Sequence, residues 1–225
     1  MSTSGTTTFN LDAGELIEEA FERCGLEPRV GYDLKSARRS LNLLALEWAS
    51  AGLNLWTVDQ QTLSLVAGTA TYSLPVDTID VLDAVLRTNA GNAALQSDIV
   101  MSRVSFSTYS AQTNKLLQDR PIQFLVMRTA TPTVTFWPIP DAAQSYQFVY
   151  YRMRRMQDIT SVDNTEDIPF RFLPAIAAGL AYKIAVKKAP DRVQLLKPLY
   201  DQAFALAADE DRERASFRLV PRIGS

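Results

Sequence analysis

Glu47-Trp48-Ala49-Ser50-Ala51-Gly52 is followed by Leu55-Trp56, a polar strand, and then Gly68-Thr69-Ala70-Thr71-Tyr72-Ser73-Leu74-Pro75. Across this stretch the apolar spacing changes from a helical period to an alternating one, so a helix gives way to a strand-rich region. Upstream, Asp33 can cap the helix, and Leu34, Ala37, Leu41, Leu44 and Trp48 form its stripe, broadened by Leu43 and Leu46. Gly52 stops it. So wide an apolar surface touches other elements on more than one side, as in an internal bundle or at a subunit interface. Leu41, Leu44 and Trp48, with an opposed helical face near Leu180, are therefore candidate subunit-interface residues.

Toward the N-terminus, Asp12 followed by Glu15 reads as a capping box, and Leu16, Ile17, Ala20, Phe21 and Cys24 recur at helical spacing until Gly25. Cys24 on that face is expected to be a small buried hydrophobe. Residues 1–8 are small and polar and expected to be loose. Toward the C-terminus, strands are predicted over 60–65, 72–74, 81–87, 123–128, 133–137 and 146–153, with a short helix around 102–109. The turns between them are too short for crossover helices, which predicts an antiparallel sheet. Helices return near Pro169. Pro174 is permitted in a first turn, and Ile176, Leu180, Ile184 and Ala185 mark one apolar face. A last helix starts at Asp191, with Val193, Leu196, Leu199, Phe204, Leu206 and Ala207 as packing residues and a bend or restart at Pro198.

The fold class is therefore α+β. A helical layer built from 1–56 and 169–214 brackets an inserted antiparallel β-rich subdomain, 57–168, and an extended tail, 215–225, follows. In that tail Phe217, Leu219, Val220 and Ile223 alternate with Arg218 and Arg222 around Pro221. Such a segment beyond a charged helix end is either disordered in isolation or docked onto something, for example another chain by strand addition.

Composition narrows the chemistry. The chain has 225 residues, a net charge of −2, one cysteine and no histidine. Without histidine, Ser–His and Cys–His nucleophilic arrangements and His-based zinc sites are ruled out within one chain. No internal disulfide can form, and no signal peptide or apolar run of membrane-spanning length is visible. The nine glycines form neither GxGxxG nor GxxxxGK[ST]. The acidic loop with Asp158, Asp163, Asn164, Glu166 and Asp167 lacks the EF-hand glycine and terminal glutamate, and reads as a solvated loop. No catalytic residue, cofactor or metal is expected.

A family resemblance runs through Ala37-Arg38-Arg39-Ser40-Leu41-Asn42, Glu47-Trp48, Gly52-Leu53-Asn54-Leu55-Trp56, the 68–75 turn-and-strand and Asp80-Val81-Leu82-Asp83-Ala84. It continues through Tyr109, Lys115, Arg120-Pro121, Trp137-Pro138-Ile139-Pro140-Asp141 and Tyr150-Tyr151. It closes on Asp167-Ile168-Pro169-Phe170-Arg171-Phe172-Leu173-Pro174-Ala175, Gly179-Leu180-Ala181-Tyr182, Tyr200 and Asp211-Arg212-Glu213-Arg214. In their order and spacing these resemble the head-to-tail adaptor proteins of short-tailed bacteriophages, with Asp119 standing where a glycine would precede Arg-Pro. The resemblance implies a non-enzymatic virion structural protein of the neck, assembled in the host cytoplasm. It implies a ring, twelvefold in that family, beneath the portal protein, joined to tail nozzle and fibre proteins and helping to retain DNA that passes through its channel without specific binding. It gives Phe217, Arg218, Leu219, Val220, Pro221, Arg222 and Ile223 a partner, the portal.

Two other readings stand beside it. One is a nucleic-acid-binding module centred on Arg152, Arg154 and Arg155 after Tyr150-Tyr151. The other is a carboxylate-dependent tail-associated hydrolase, which needs two acids facing a cleft at the required separation.

Overall fold

The structure is a computed structural model that describes residues 5, 6, 9–28, 31–50, 57–161, 163–165 and 167–210, and it is α+β. The chain divides into two units, Met1–Trp56 with Met156–Ser225, and Thr57–Arg155.

In the first unit, α1 (Ala13–Arg23) opens on the expected capping box. The Asp12 carboxylate accepts from the Glu15 amide at 2.8 Å and the Glu15 carboxylate from the Asp12 amide at 3.1 Å, so two otherwise orphaned donors are satisfied. The helix closes on Gly25 at φ +69°, a left-handed conformation that costs glycine little, with the Leu26 amide reaching back to the Phe21 carbonyl. Cys24 is buried, and its thiol donates to the Ala181 carbonyl at 3.2 Å. α2 (Gly31–Ser50) starts before Asp33, so Asp33 sits in its first turn and not at the N-cap position, and it pairs with Lys188.

A short 3₁₀ turn (Phe170–Phe172) leads into α4 (Leu173–Lys188), and a second (Pro190–Arg192) into α5 (Val193–Glu210); α3 lies in the other unit. α4 is the centre. The sequence pattern marks one apolar face, whereas Ala175, Ala177, Ala178, Gly179 and Ala181 are buried as well as Ile176, Leu180 and Ile184. Small side chains let neighbours approach from several directions, and a pattern counted from large side chains misses this. α5 runs through Pro198 as one helix. Residues 156–168 belong to this unit, so the division falls at Arg155 and not at 168. Met156 and Ile159 enter the helical core, and the Asn42 amide both donates to the Ile159 carbonyl (3.1 Å) and accepts from its amide (3.0 Å).

The second unit holds β1 (Val58–Leu65), β2 (Thr71–Ser73), β3 (Thr78–Thr88), β4 (Ser97–Val100), β5 (Ser102–Arg103), α3 (Phe106–Ser110), β6 (Gln118–Asp119), β7 (Gln123–Met127), β8 (Thr133–Trp137), β9 (Ile139–Pro140) and β10 (Tyr146–Arg154). One sheet has the order β1-β10-β3-β4 and another β2-β8-β7-β5, with β6 and β9 as a separate pair. The long pairings are antiparallel, as expected, but β5–β7 and β6–β9 are parallel. The connection from β5 to β7 contains α3 and is long enough to bring the chain back in the same direction. Both sheets contribute to one core. Phe148 of β10 joins them, its ring centroid 5.3 Å from Phe124 and 4.9 Å from Phe136 on the opposite sheet, both edge-on.

The packing at Gly179 gives a direct test. A Cβ there would lie 2.8 Å from both Leu44 Cδ2 and Tyr200 Cε2, whereas one at Gly31 would meet nothing within 4 Å. Gly179→Val should lower unfolding free energy by about 1–3 kcal/mol in urea titrations, with Gly31→Ala within about 0.5 kcal/mol of wild type.

Candidate interaction surfaces

Leu41, Leu44, Trp48 and Leu180 all have 0% exposure. They are not available to another chain: the wide α2 stripe is spent inside the subunit, against α1, α4 and α5. Trp48 is fixed from three sides. Its indole donates to the Tyr200 hydroxyl at 3.1 Å, and its ring meets Phe172 at 6.2 Å and Phe204 at 5.8 Å. Burial raises the Tyr200 phenol, and the Trp48 hydrogen bond partly offsets it. Residues 217–223 lie outside the described residues.

What the helical core leaves uncovered is a different set. Leu195, Leu199 and Leu206 of α5 are 56%, 51% and 66% exposed. Their spacing of four and seven puts them on one face, about a quarter turn from Leu196, Tyr200, Ala203 and Ala207, which pack inward. Leu199 and Leu206 are thus surface residues and not packing residues. On α2, Leu43 and Leu46 are also exposed, so they do not broaden the buried stripe. α5 carries apolar residues on both faces, and the sequence alone offers no means of choosing which face turns inward.

Polar contacts fasten α2 to α4. Lys183 donates to Glu47 at 2.5 Å, Lys188 pairs with Asp33, and Lys187 donates to Ser40 Oγ at 2.5 Å. Desolvation lowers the Lys187 ammonium, with Arg39 and Lys183 adding repulsion. A serine beside a lowered lysine has the elements of a nucleophile, but Ser40 is buried, its hydroxyl donates to the Ser36 carbonyl at 3.0 Å, and the adjoining cavity is about 10 Å³. No substrate fits there. Among the described residues no group of three acidic or cysteine side chains is arranged to hold a metal. In the loop 158–167, Asn164 Oδ1 instead accepts from the Thr160 and Ser161 amides at 3.1 and 2.7 Å.

Glu15, Glu18, Glu19 and Glu22 line a groove of about 450 Å³ whose other wall is Leu173, Pro174 and Ala177. All four acids come from α1 and face an apolar wall. Glycosidic cleavage needs carboxyls flanking the scissile bond from two sides, which this arrangement does not provide.

The arginine-rich strand end is likewise structural. Arg152 is 6% exposed. Its guanidinium grips Asp59 of β1 at 2.8 and 3.2 Å, and Asp77 before β3 at 2.6 and 3.3 Å, with Thr78 Oγ1 at 2.9 Å. The β3–β10 register shifts beside it, leaving Leu82 as an extra residue, a bulge that re-aims neighbouring side chains. Arg154 donates to the Arg155 carbonyl, and the Arg155 amide to the Asp77 carbonyl. Arg152 therefore offers no donor to a phosphate, which removes the centre of the nucleic-acid reading.

Burial pushes the Asp59 carboxyl up, but the donors from Arg152 and Gln61 and the charges of Arg152 and Arg154 outweigh it and hold the group below its ordinary value. A carboxyl lowered by folding contributes stability above its unfolded pKa and loses it as pH falls through the folded one. The stability difference between wild type and Asp59→Asn should accordingly be full at about pH 7 and shrink below about pH 4. Urea midpoints at the two pH values measure it, and a constant difference contradicts the pairing.

Among the described residues no helix is long and apolar enough to cross a membrane. No curated protein matches the chain. The family model described as SU10 adaptor protein matches residues 11–222, across both units. The chain therefore belongs to the SU10 adaptor protein family, and is a structural adaptor of phage virions.

Proposed function

We propose that this chain is one subunit of a closed ring beneath the portal protein, connecting it to the tail nozzle and fibres and helping to retain packaged DNA. The family match over 11–222 carries the reading. A head-to-tail ring needs two different complementary surfaces on each subunit. The outer α5 face with Leu195, Leu199 and Leu206, and the outer α2 positions Leu43 and Leu46, are exposed apolar groups suited to that use. Contacts of this kind in place of the buried Leu41, Leu44, Trp48 and Leu180 leave each subunit able to fold first and assemble afterwards, in the host cytoplasm.

Residues 217–223 are the portal-binding element in this reading. They combine Phe217, Leu219, Val220 and Ile223 with Arg218 and Arg222, and an extended segment with alternating character binds by ordering against a partner. Deleting 215–225 should leave far-ultraviolet circular dichroism and solubility unchanged and abolish co-sedimentation with the portal. Normal portal binding by the shortened chain would refute the assignment.

A further inference from the structure

The groove beside α1 has a floor of Phe9, Leu11, Leu173 and Pro174, and Phe9 is 75% exposed. Along its rim, Glu15 is used in the capping box and Glu19 pairs with Arg23 at 2.7 Å. Glu18 and Glu22 are one turn apart, and among the described residues neither has a hydrogen-bond or ion-pair partner. Like charges at this spacing oppose the helix unless a cation covers them. The groove thus offers an apolar floor next to uncompensated negative charge.

One segment of this chain has the matching pattern. Pro221 disfavours a helix over 217–223, and in an extended conformation Phe217, Leu219, Pro221 and Ile223 fall on one side while Arg218, Val220 and Arg222 fall on the other. The two arginines are then about 13 Å apart, against about 6 Å for the rise from Glu18 to Glu22 along α1, a difference that the long arginine side chains have to bridge by converging. Reach is sufficient. α5 runs back along α4, since Tyr200 lies against Gly179 and the Trp48 ring touches both Phe204 and Phe172, so its C-terminal end approaches the start of α4, where the groove opens. Residues 211–216 can span about 20 Å, whereas packed helices are about 8–10 Å apart.

We propose that residues 217–223 dock in the groove of their own chain, with the apolar side on Phe9, Leu173 and Pro174 and with Arg218 and Arg222 over Glu18 and Glu22. This docking stands without the portal reading. Where both hold, the portal-binding segment is sheltered on its own subunit until the portal displaces it.

Hydrogen–deuterium exchange of the full-length protein without portal tests the docking, with a synthetic 215–225 peptide as reference. The expected result is exchange over 217–223 about tenfold or more slower than in the peptide, independent of protein concentration. Protection should be lost in Glu18→Lys/Glu22→Lys and return when that pair is combined with Arg218→Glu/Arg222→Glu. Should the α1 variant unfold, Arg218→Glu/Arg222→Glu alone must lose the same protection. Exchange at the peptide rate, protection indifferent to charge reversal, or protection that grows with concentration, as a second copy would give, overturns the proposal. None of these readouts involves the portal, so they are separable from failure of portal binding.

Discussion

The helical unit depends on the space left at Gly179. Because no side chain stands there, Leu44 of α2 and Tyr200 of α5 close onto the same point of α4, within 2.8 Å of where a Cβ would be. That approach places the Tyr200 hydroxyl to receive the Trp48 indole N–H and stacks Tyr200 on Tyr182 at 5.9 Å. Dispersion and area burial around α4 then supply most of the stabilisation, and the lysine contacts between α2 and α4, of which only Lys183–Glu47 is largely exposed, add register. A core closed in this way has a consequence: the strongest apolar stripe is consumed within the chain and is not a surface that a partner would meet.

The β unit is built on a different constraint. Phe148 bridges two sheets through edge-on contacts, and one strand position further along the same face beyond Tyr150, Arg152 fills the end of the core with charge that Asp59 and Asp77 neutralise. A buried guanidinium is tolerable only with its donors satisfied, and here two carboxylates and a threonine hydroxyl satisfy them. The bulge beside it ties strand register to this ion pair. Each unit therefore has its own reason to adopt one packing arrangement, and each is closed by contacts within itself.

Much of this was legible in the residues. The Asp12/Glu15 box, the glycine stop after Cys24, the long strands and the antiparallel pairing follow from local chemistry that the sequence displays directly. The α4 environment was not legible, because alanine and glycine carry no amphipathic signal while being what permits contact on several sides. The inward face of α5 was ambiguous for the opposite reason, since large apolar residues lie on both faces. The acidic loop 158–167 reads as solvated, and its anchors, the Asn42 amide, the Arg38 guanidinium and the Ala13 amide, lie more than a hundred positions away, which no local pattern reveals. The candidate interface failed for a related reason: hydrophobic periodicity identifies buried side chains without saying whether the burying partner is the same chain or another.

Taken together, the family membership and the two closed cores describe a structural adaptor whose helical core is complete within one chain and leaves leucines on α2 and α5 exposed; the proposed ring assembly requires that such a chain fold before it assembles. The most direct measurement is sedimentation equilibrium of the purified full-length chain without portal, read alongside its helical circular dichroism. A folded species of single-chain mass is predicted. A ring formed without portal, or helical structure that vanishes as an oligomer is diluted into single chains, would contradict the account.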